Sequence, residues 1–218
     1  MGLLRELSEK PWLTPSVVGA GVMPDDRLQS AQTKLGVKVF LAVVTMLFLL
    51  LVMAYAGRMA FEDWRPGPEL GLLWFNSFVL LASSIALQYA VSAARRERER
   101  EAWMGLLGAG ALGAGFLVGQ LVAWLQLRSM GSYGLTLPSV AFFYLITGLH
   151  AVHLTGGLAA WGVITLKAWS TGSVVRVRQS VELCCLYWHF LLVVWLVLFG
   201  LLFSGNNMSA LLVLCGIR

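Results

Sequence analysis

The stretch Val181–Phe203 reads VELCCLYWHFLLVVWLVLFGLLF. It carries a single charge, Glu182, at its start and is otherwise almost wholly apolar. A hydrocarbon layer about 30 Å thick is crossed by about 20 apolar residues in helical form. This run is too long and too continuous for a helix in a soluble core. Lipid offers no partner to backbone N–H and C=O groups, so the run is predicted to be a transmembrane helix.

Working back toward the N-terminus, four more stretches have the same character. The predicted spans cover about 35–57, 70–93, 103–127, 137–167 and 180–204. The expected fold class is therefore an all-α integral membrane protein, a bundle of five transmembrane helices over residues 35–204. A tail at 1–34 and another at 205–218 flank it. Pro11, Pro15 and Pro24 oppose a long helix in the first tail. Arg5, Glu6, Glu9 and Lys10 interrupt its opening residues, which do not read as a signal peptide.

Composition agrees. Of 218 residues, 58% are hydrophobic and 12% charged, against about 25% charged in a soluble domain. The net charge of +5 is not read as a nucleic-acid surface, because basic residues of membrane proteins collect in cytoplasmic loops. Twelve of the sixteen Lys and Arg residues fall on one side if the N-terminus is cytoplasmic: the tail with Lys34 and Lys38, the loop Arg95–Arg100, and Lys167, Arg176 and Arg178. Arg58, Arg65, Arg128 and Arg218 fall on the other. The expected orientation is N-terminus cytoplasmic, C-terminus periplasmic. Cys184, Cys185 and Cys215 show neither disulfide nor metal spacing and read as packing residues.

The run Arg95–Glu101 alternates in sign. It reads either as a solvated helix extension with neighbouring opposite charges or as a contact for lipid headgroups or a partner subunit. Arg95, Arg96, Arg98 and Arg178 are the candidate headgroup contacts. In the third span Gly105, Ala109 and Gly113 form one small-residue row, and Ala111, Gly115 and Gly119 another. Such rows let helices approach closely in lipid, so this span is expected inside the bundle with neighbours on two sides.

Polar residues within the spans are costly and should face protein, water or a bound headgroup. They include Asn76, Ser77, Ser83, Ser84, Gln88, Gln120, Thr147, His150, His153, Thr155, Glu182 and His189. Thr147, His150 and His153 recur every three residues and share one helix face. His189 sits at a similar depth in the next helix, which a short connection makes a neighbour. Two readings stand: a heme or metal site built on imidazoles, and a structural polar cluster of Thr147, His150, His153, Glu182 and His189 bonded between helices. No carboxylate lies at the histidines' depth to serve a metal. Glu182 has Arg178 one turn earlier as its expected partner.

Phe142-Phe143-Tyr144-Leu145-Ile146-Thr147-Gly148-Leu149-His150-Ala151-Val152-His153 resembles the Thr-Gly-Phe-His-x-x-His segment of heme–copper terminal oxidase subunit III. Glu182, Tyr187-Trp188-His189-Phe190 and Trp195 resemble that family's last helix. Asn76-Ser77 with Ser83-Ser84, and Gly119-Gln120 with Trp124, are similar to further family segments. The likeness runs from about Lys34 to Phe203 and fits the shorter, five-helix bacterial form. It departs at two places where the family carries buried carboxylates; here stand Val43-Val44 and Leu192. Roles resting on those acids are not expected.

The resemblance implies a non-catalytic subunit with no heme, copper or other cofactor of its own. Its partners would be oxidase subunits I and II, which hold heme and copper, reduce dioxygen to water and pump protons. The chain would stabilise the catalytic subunit and bind phospholipid in a bacterial inner membrane. Alternatives are an accessory subunit of a nitric oxide reductase and a free-standing b-type cytochrome using His150 or His153 with His189. A small transporter is disfavoured, because no Pro-interrupted pair of helices marks a midplane site.

Overall fold

A computed structural model of the chain describes residues 26–59, 61, 64, 71–129 and 137–203, with side chains from residue 32 onward. It contains α1 (Asp26–Met59), α2 (Leu72–Arg95), α3 (Glu99–Ser129), α4 (Pro138–Thr171), a 3-10 turn at Val175–Val177, and α5 (Arg178–Phe203). All five helices are long and apolar enough to cross a membrane. At 1.5 Å per residue the shortest, α2, spans about 36 Å, which exceeds the hydrocarbon thickness.

Helix α1 begins at Asp26, inside the stretch 1–34 assigned to a tail. Between Pro24 and the predicted span the chain has neither Pro nor Gly, and Arg, Leu, Gln, Ala and Lys favour a helix. Residues 26–39 belong to a unit of their own. From Phe40 on, Val44, Phe48, Tyr55 and Met59 form a narrow buried stripe. They pack with Ile146 of α4 and Leu198 and Leu201 of α5 in a small cluster. Much of the remaining helix surface is apolar and exposed, Leu50 at 73% for example, as a lipid-facing surface is.

Two chain reversals are made differently. After α2 the N–H groups of Glu97 and Arg98 bond back to Ala94 O and Ala93 O, with Glu97 in the left-handed region at φ 57°. After α4, Gly172 takes that position at φ 67°, and the Ser173 N–H bonds to Ala168 O. Both are Schellman ends, which turn the chain sharply. Pro138 opens α4, where its missing N–H costs nothing.

Helices α2 and α3 share the most extensive contact, and α5 packs against α2 and α4. The small-residue row Gly105, Ala109, Gly113 is buried. A Cβ at Gly105 would lie 2.8 Å from Ala86 O and from Ala90 N, so only glycine permits this approach. The second predicted row is only half right: Ala111 and Gly115 are exposed, and Gly119 alone sits tightly, against Asn76. The close contact on α3's other side is made instead by Gly110, which neither row contains and which receives the Trp161 ring.

Candidate functional site: a buried polar seam between the helices

An indole N–H can only donate. Burying one without an acceptor in lipid is costly. Four tryptophans of this bundle each donate to a different helix. Trp188 of α5 donates to Ser83 Oγ of α2 at 2.9 Å, and Trp195 of α5 to Ser77 Oγ of α2 at 2.9 Å. Trp161 of α4 donates to Leu106 O of α3 at 2.9 Å, and Trp124 of α3 to Thr147 Oγ1 of α4 at 3.1 Å. Tyr144 Oη donates to Trp124 O at 3.2 Å, and Tyr187 Oη of α5 to His153 O of α4 at 2.9 Å.

The hydroxyls accepting these bonds donate onward. Ser83 Oγ donates to Ala109 O across to α3 at 2.7 Å. Ser77 and Thr147 donate to carbonyls one turn back in their own helices, Leu73 O at 2.8 Å and Phe143 O at 2.6 Å. Glycine makes the carbonyls on α3 reachable. In a helix the carbonyl of residue i faces residue i+4. Gly110 stands four after Leu106, and the Trp161 ring occupies the space of a side chain there. Gly113 stands four after Ala109, where a Cβ would lie 2.6 Å from Trp188 Cζ2.

The five residues expected to form one polar cluster occupy separate environments. Thr147 serves Trp124. His150 is fully buried, and neither ring nitrogen has a hydrogen-bond partner among the described residues. Its ring is walled by Trp195, Phe116 and Phe48 at centroid distances of 5.2, 5.8 and 6.4 Å. His153 Nδ1 lies 2.8 Å from Leu149 O within its own helix. His189 Nδ1 lies 2.8 Å from Cys185 O and 3.4 Å from Cys185 Sγ; that thiol donates to Gln88 Oε1 of α2. The histidines share no hydrogen bond, because each satisfies itself locally or is enclosed by rings. The cross-link between α4 and α5 runs through Tyr187. Among the described residues no group of three His, Cys, Asp or Glu side chains is arranged to hold a metal ion.

Glu182 corrects a second expectation. Its main partner is Arg95 of α2, Nε to Oε1 at 2.9 Å, while Arg178 stands at 3.9 Å. Arg95 arrives from the neighbouring helix with its guanidinium aimed at the carboxylate, whereas Arg178 approaches along the same helix. Arg95, Arg96, Arg98 and Arg178 remain exposed. Beside them, Glu99 accepts hydrogen bonds from Ser173 Oγ at 2.9 Å and from the N–H groups of Val174 and Val175. The start of α3 thus caps the entry to α5. Sequence gave no signal for this contact, since the acceptor and its donors are 74 to 76 residues apart.

Val44 and Leu192, where the resemblance read from the sequence departs, are both buried. Val44 is 3% exposed and Leu192 8%. Both are packed among apolar side chains.

These features, a hydroxyl–indole seam closing α2 to α5 with α1 laid against α4 and α5, occupy the segment that a family model matches. The model described as cytochrome c oxidase subunit III covers residues 27–205. The chain belongs to the cytochrome c oxidase subunit III family. Relatives include cytochrome c oxidase subunit 3 of Synechocystis sp., 35% identical over 177 residues, 77% of this chain and 73% of the relative. The corresponding subunit of Thermostichus vulcanus is 33% identical over 177 residues, 78% of this chain and 85% of its own. Subunit 3 of the Pseudomonas aeruginosa cytochrome bo(3) ubiquinol oxidase is 25% identical over 137 residues, 62% and 65% of the two chains. The subunit III resemblance read from the His150, Trp188 and Trp195 segments is thereby borne out. Subunit III membership also implies assembly with other subunits of an oxidase complex.

Proposed function

We propose that this chain is the non-catalytic subunit III of a respiratory heme–copper oxidase in a bacterial inner membrane, with its N-terminus cytoplasmic. Its partners are subunits I and II, whose heme and copper reduce dioxygen and drive proton pumping. Its own work is to stabilise the catalytic subunit and to hold phospholipid, with Arg95, Arg96, Arg98 and Arg178 meeting headgroups.

The observation that carries this reading is where the polar groups go. Thr147, Ser77, Ser83 and four indoles are used in joining helices. The one fully buried histidine, His150, is enclosed by three aromatic rings. Such an interior is built for rigidity, and a porphyrin seated on His150 would have to displace those rings. The b-type cytochrome reading is therefore less well supported.

The test is to purify the oxidase complex from cells carrying and lacking this chain and to follow oxygen consumption over time. A scaffold role predicts a similar initial rate and a much shorter active lifetime without the chain. An unchanged lifetime, with the remaining subunits fully assembled, refutes it.

A further inference from the structure

Six buried side chains have polar atoms that no described residue satisfies, Trp64, Asn76, Ser84, Gln120, Ser139 and His150, and three of them bear on one region where α2, α3 and α4 meet. Gln120 of α3 is 1% exposed, with both Oε1 and Nε2 unpartnered. His150 of α4 is fully buried, with both ring nitrogens unpartnered. Asn76 of α2 is 1% exposed, with Nδ2 unpartnered.

Contacts of these residues and of their helical neighbours bring them to one region of the interior. Asn76 Oδ1 presses on Gly119, the residue before Gln120. Phe116, one helical turn before Gln120, meets His150 and Trp195 edge-on, at 5.8 and 4.8 Å between centroids. Trp195 is tilted against His150 at 5.2 Å and donates to Ser77, the residue after Asn76. Gln120 shares a face of α3 with Phe116, so its amide and the His150 imidazole flank the Phe116–Trp195 contact, while Asn76 sits against the adjoining turn of α3 at Gly119.

The chemistry of this group calls for a small ligand that both donates and accepts. Gln120 and Asn76 each carry two N–H donors, and a neutral imidazole has one donor and one acceptor. An unmet donor or acceptor in a membrane interior keeps its full desolvation penalty. A water held by two to four such groups removes it, and buried waters occur in polar surroundings of this kind. Neither an ion nor a lipid headgroup suits the position, because no charged side chain is among the three.

We propose that Asn76, Gln120 and His150 form an internal hydration site, holding one or more ordered waters that bridge α2, α3 and α4. The water completes the polar seam where the indoles do not reach. It links His150 to its neighbours without direct contact between side chains. The site stands whether or not the chain acts as an oxidase scaffold, since it rests on the bundle interior alone.

The experiment uses the intact complex in lipid nanodiscs. A cryo-electron microscopy map fine enough to resolve waters should show ordered density within about 3.5 Å of the Gln120 amide and a His150 ring nitrogen. Direct bonding of Gln120 to His150, or a dry apolar contact there, overturns the proposal. A second measurement uses Gln120→Met, which keeps the volume. If water fills the site, the variant strands it, and the complex's Tm falls by about 2–4 °C. If the site is dry, the variant removes an unmet polar group, and an unchanged or higher Tm overturns the proposal.

Discussion

Replacing Trp188 with Phe removes one hydrogen bond and part of one ring from the centre of the bundle. The bond is Trp188 Nε1 to Ser83 Oγ at 2.9 Å, in a side chain with no exposure. Hydrogen bonds between transmembrane helices average about 0.6 kcal/mol by double-mutant cycles, with a maximum near 1.7. The lost ring leaves a void of roughly 40 Å³ above Gly113, worth about 1 kcal/mol at about 24 cal/mol per Å³. Trp188→Phe is therefore expected to destabilise by about 2 kcal/mol. Ser83→Ala also loses the bond to Ala109 O, at 2.7 Å, and is expected to cost about 1–2 kcal/mol.

The assay is equilibrium unfolding of the purified chain or complex in mixed micelles, for both single variants and the double variant. Once either partner is gone, the Trp188–Ser83 bond cannot be lost again. The double variant should therefore cost less than the two singles together by about 0.6–1 kcal/mol. Additivity within about 0.3 kcal/mol would mean that the bond adds nothing. The indoles would then be packing groups only, and the reading of the seam as a hydrogen-bonded device would be wrong.

Other perturbations follow from the same geometry. Glu99→Ala removes the acceptor for Ser173 Oγ, Val174 N and Val175 N, and should cost about 1–3 kcal/mol; hydrogen exchange at Val174 and Val175 should accelerate at least tenfold, and unchanged protection would refute the cap. Gly110→Val places a side chain in the Trp161 ring and breaks its bond to Leu106 O, so about 2–4 kcal/mol should be lost; Gly108→Ala, with open space around it, should be neutral in the same unfolding assay. In delipidated protein Arg95→Ala should cost under about 1 kcal/mol, since its ion pair with Glu182 is half-exposed; in native lipid the loss should be larger, and an equal loss in both would remove Arg95 from the headgroup contacts.

The spans were legible because lipid imposes a simple rule: about 20 apolar residues, helical, with few charges. Val181–Phe203 satisfies it unaided, and all of it lies within α5. Helix beyond the hydrocarbon was less legible, and residues 26–34 are helical because neither Pro nor Gly stands between Pro24 and the span. Within the site, the residue types were readable and their partners were not. Thr147, His150, His153 and His189 share depth and faces, which suggested mutual bonds. Helix rotation decides the outcome, and it is set by which glycine accepts which ring. Gly110 under Trp161 and Gly113 under Trp188 fix α3 against α4 and α5. Regular spacing revealed Gly113 and missed Gly110. The Glu182 partner was misjudged for the same reason: a sequence shows the neighbour one turn away, Arg178, and hides the one across the interface, Arg95.

The central claim, that this chain is the third subunit of a heme–copper oxidase, is tested most directly by purifying it through an affinity tag in mild detergent. The account predicts that a heme-containing partner co-purifies in fixed ratio, that the complex consumes oxygen, and that all heme absorbance belongs to the partner chains. A chain that purifies alone, that carries a Soret band when separated from partners, or that brings down a complex inactive toward oxygen would contradict it.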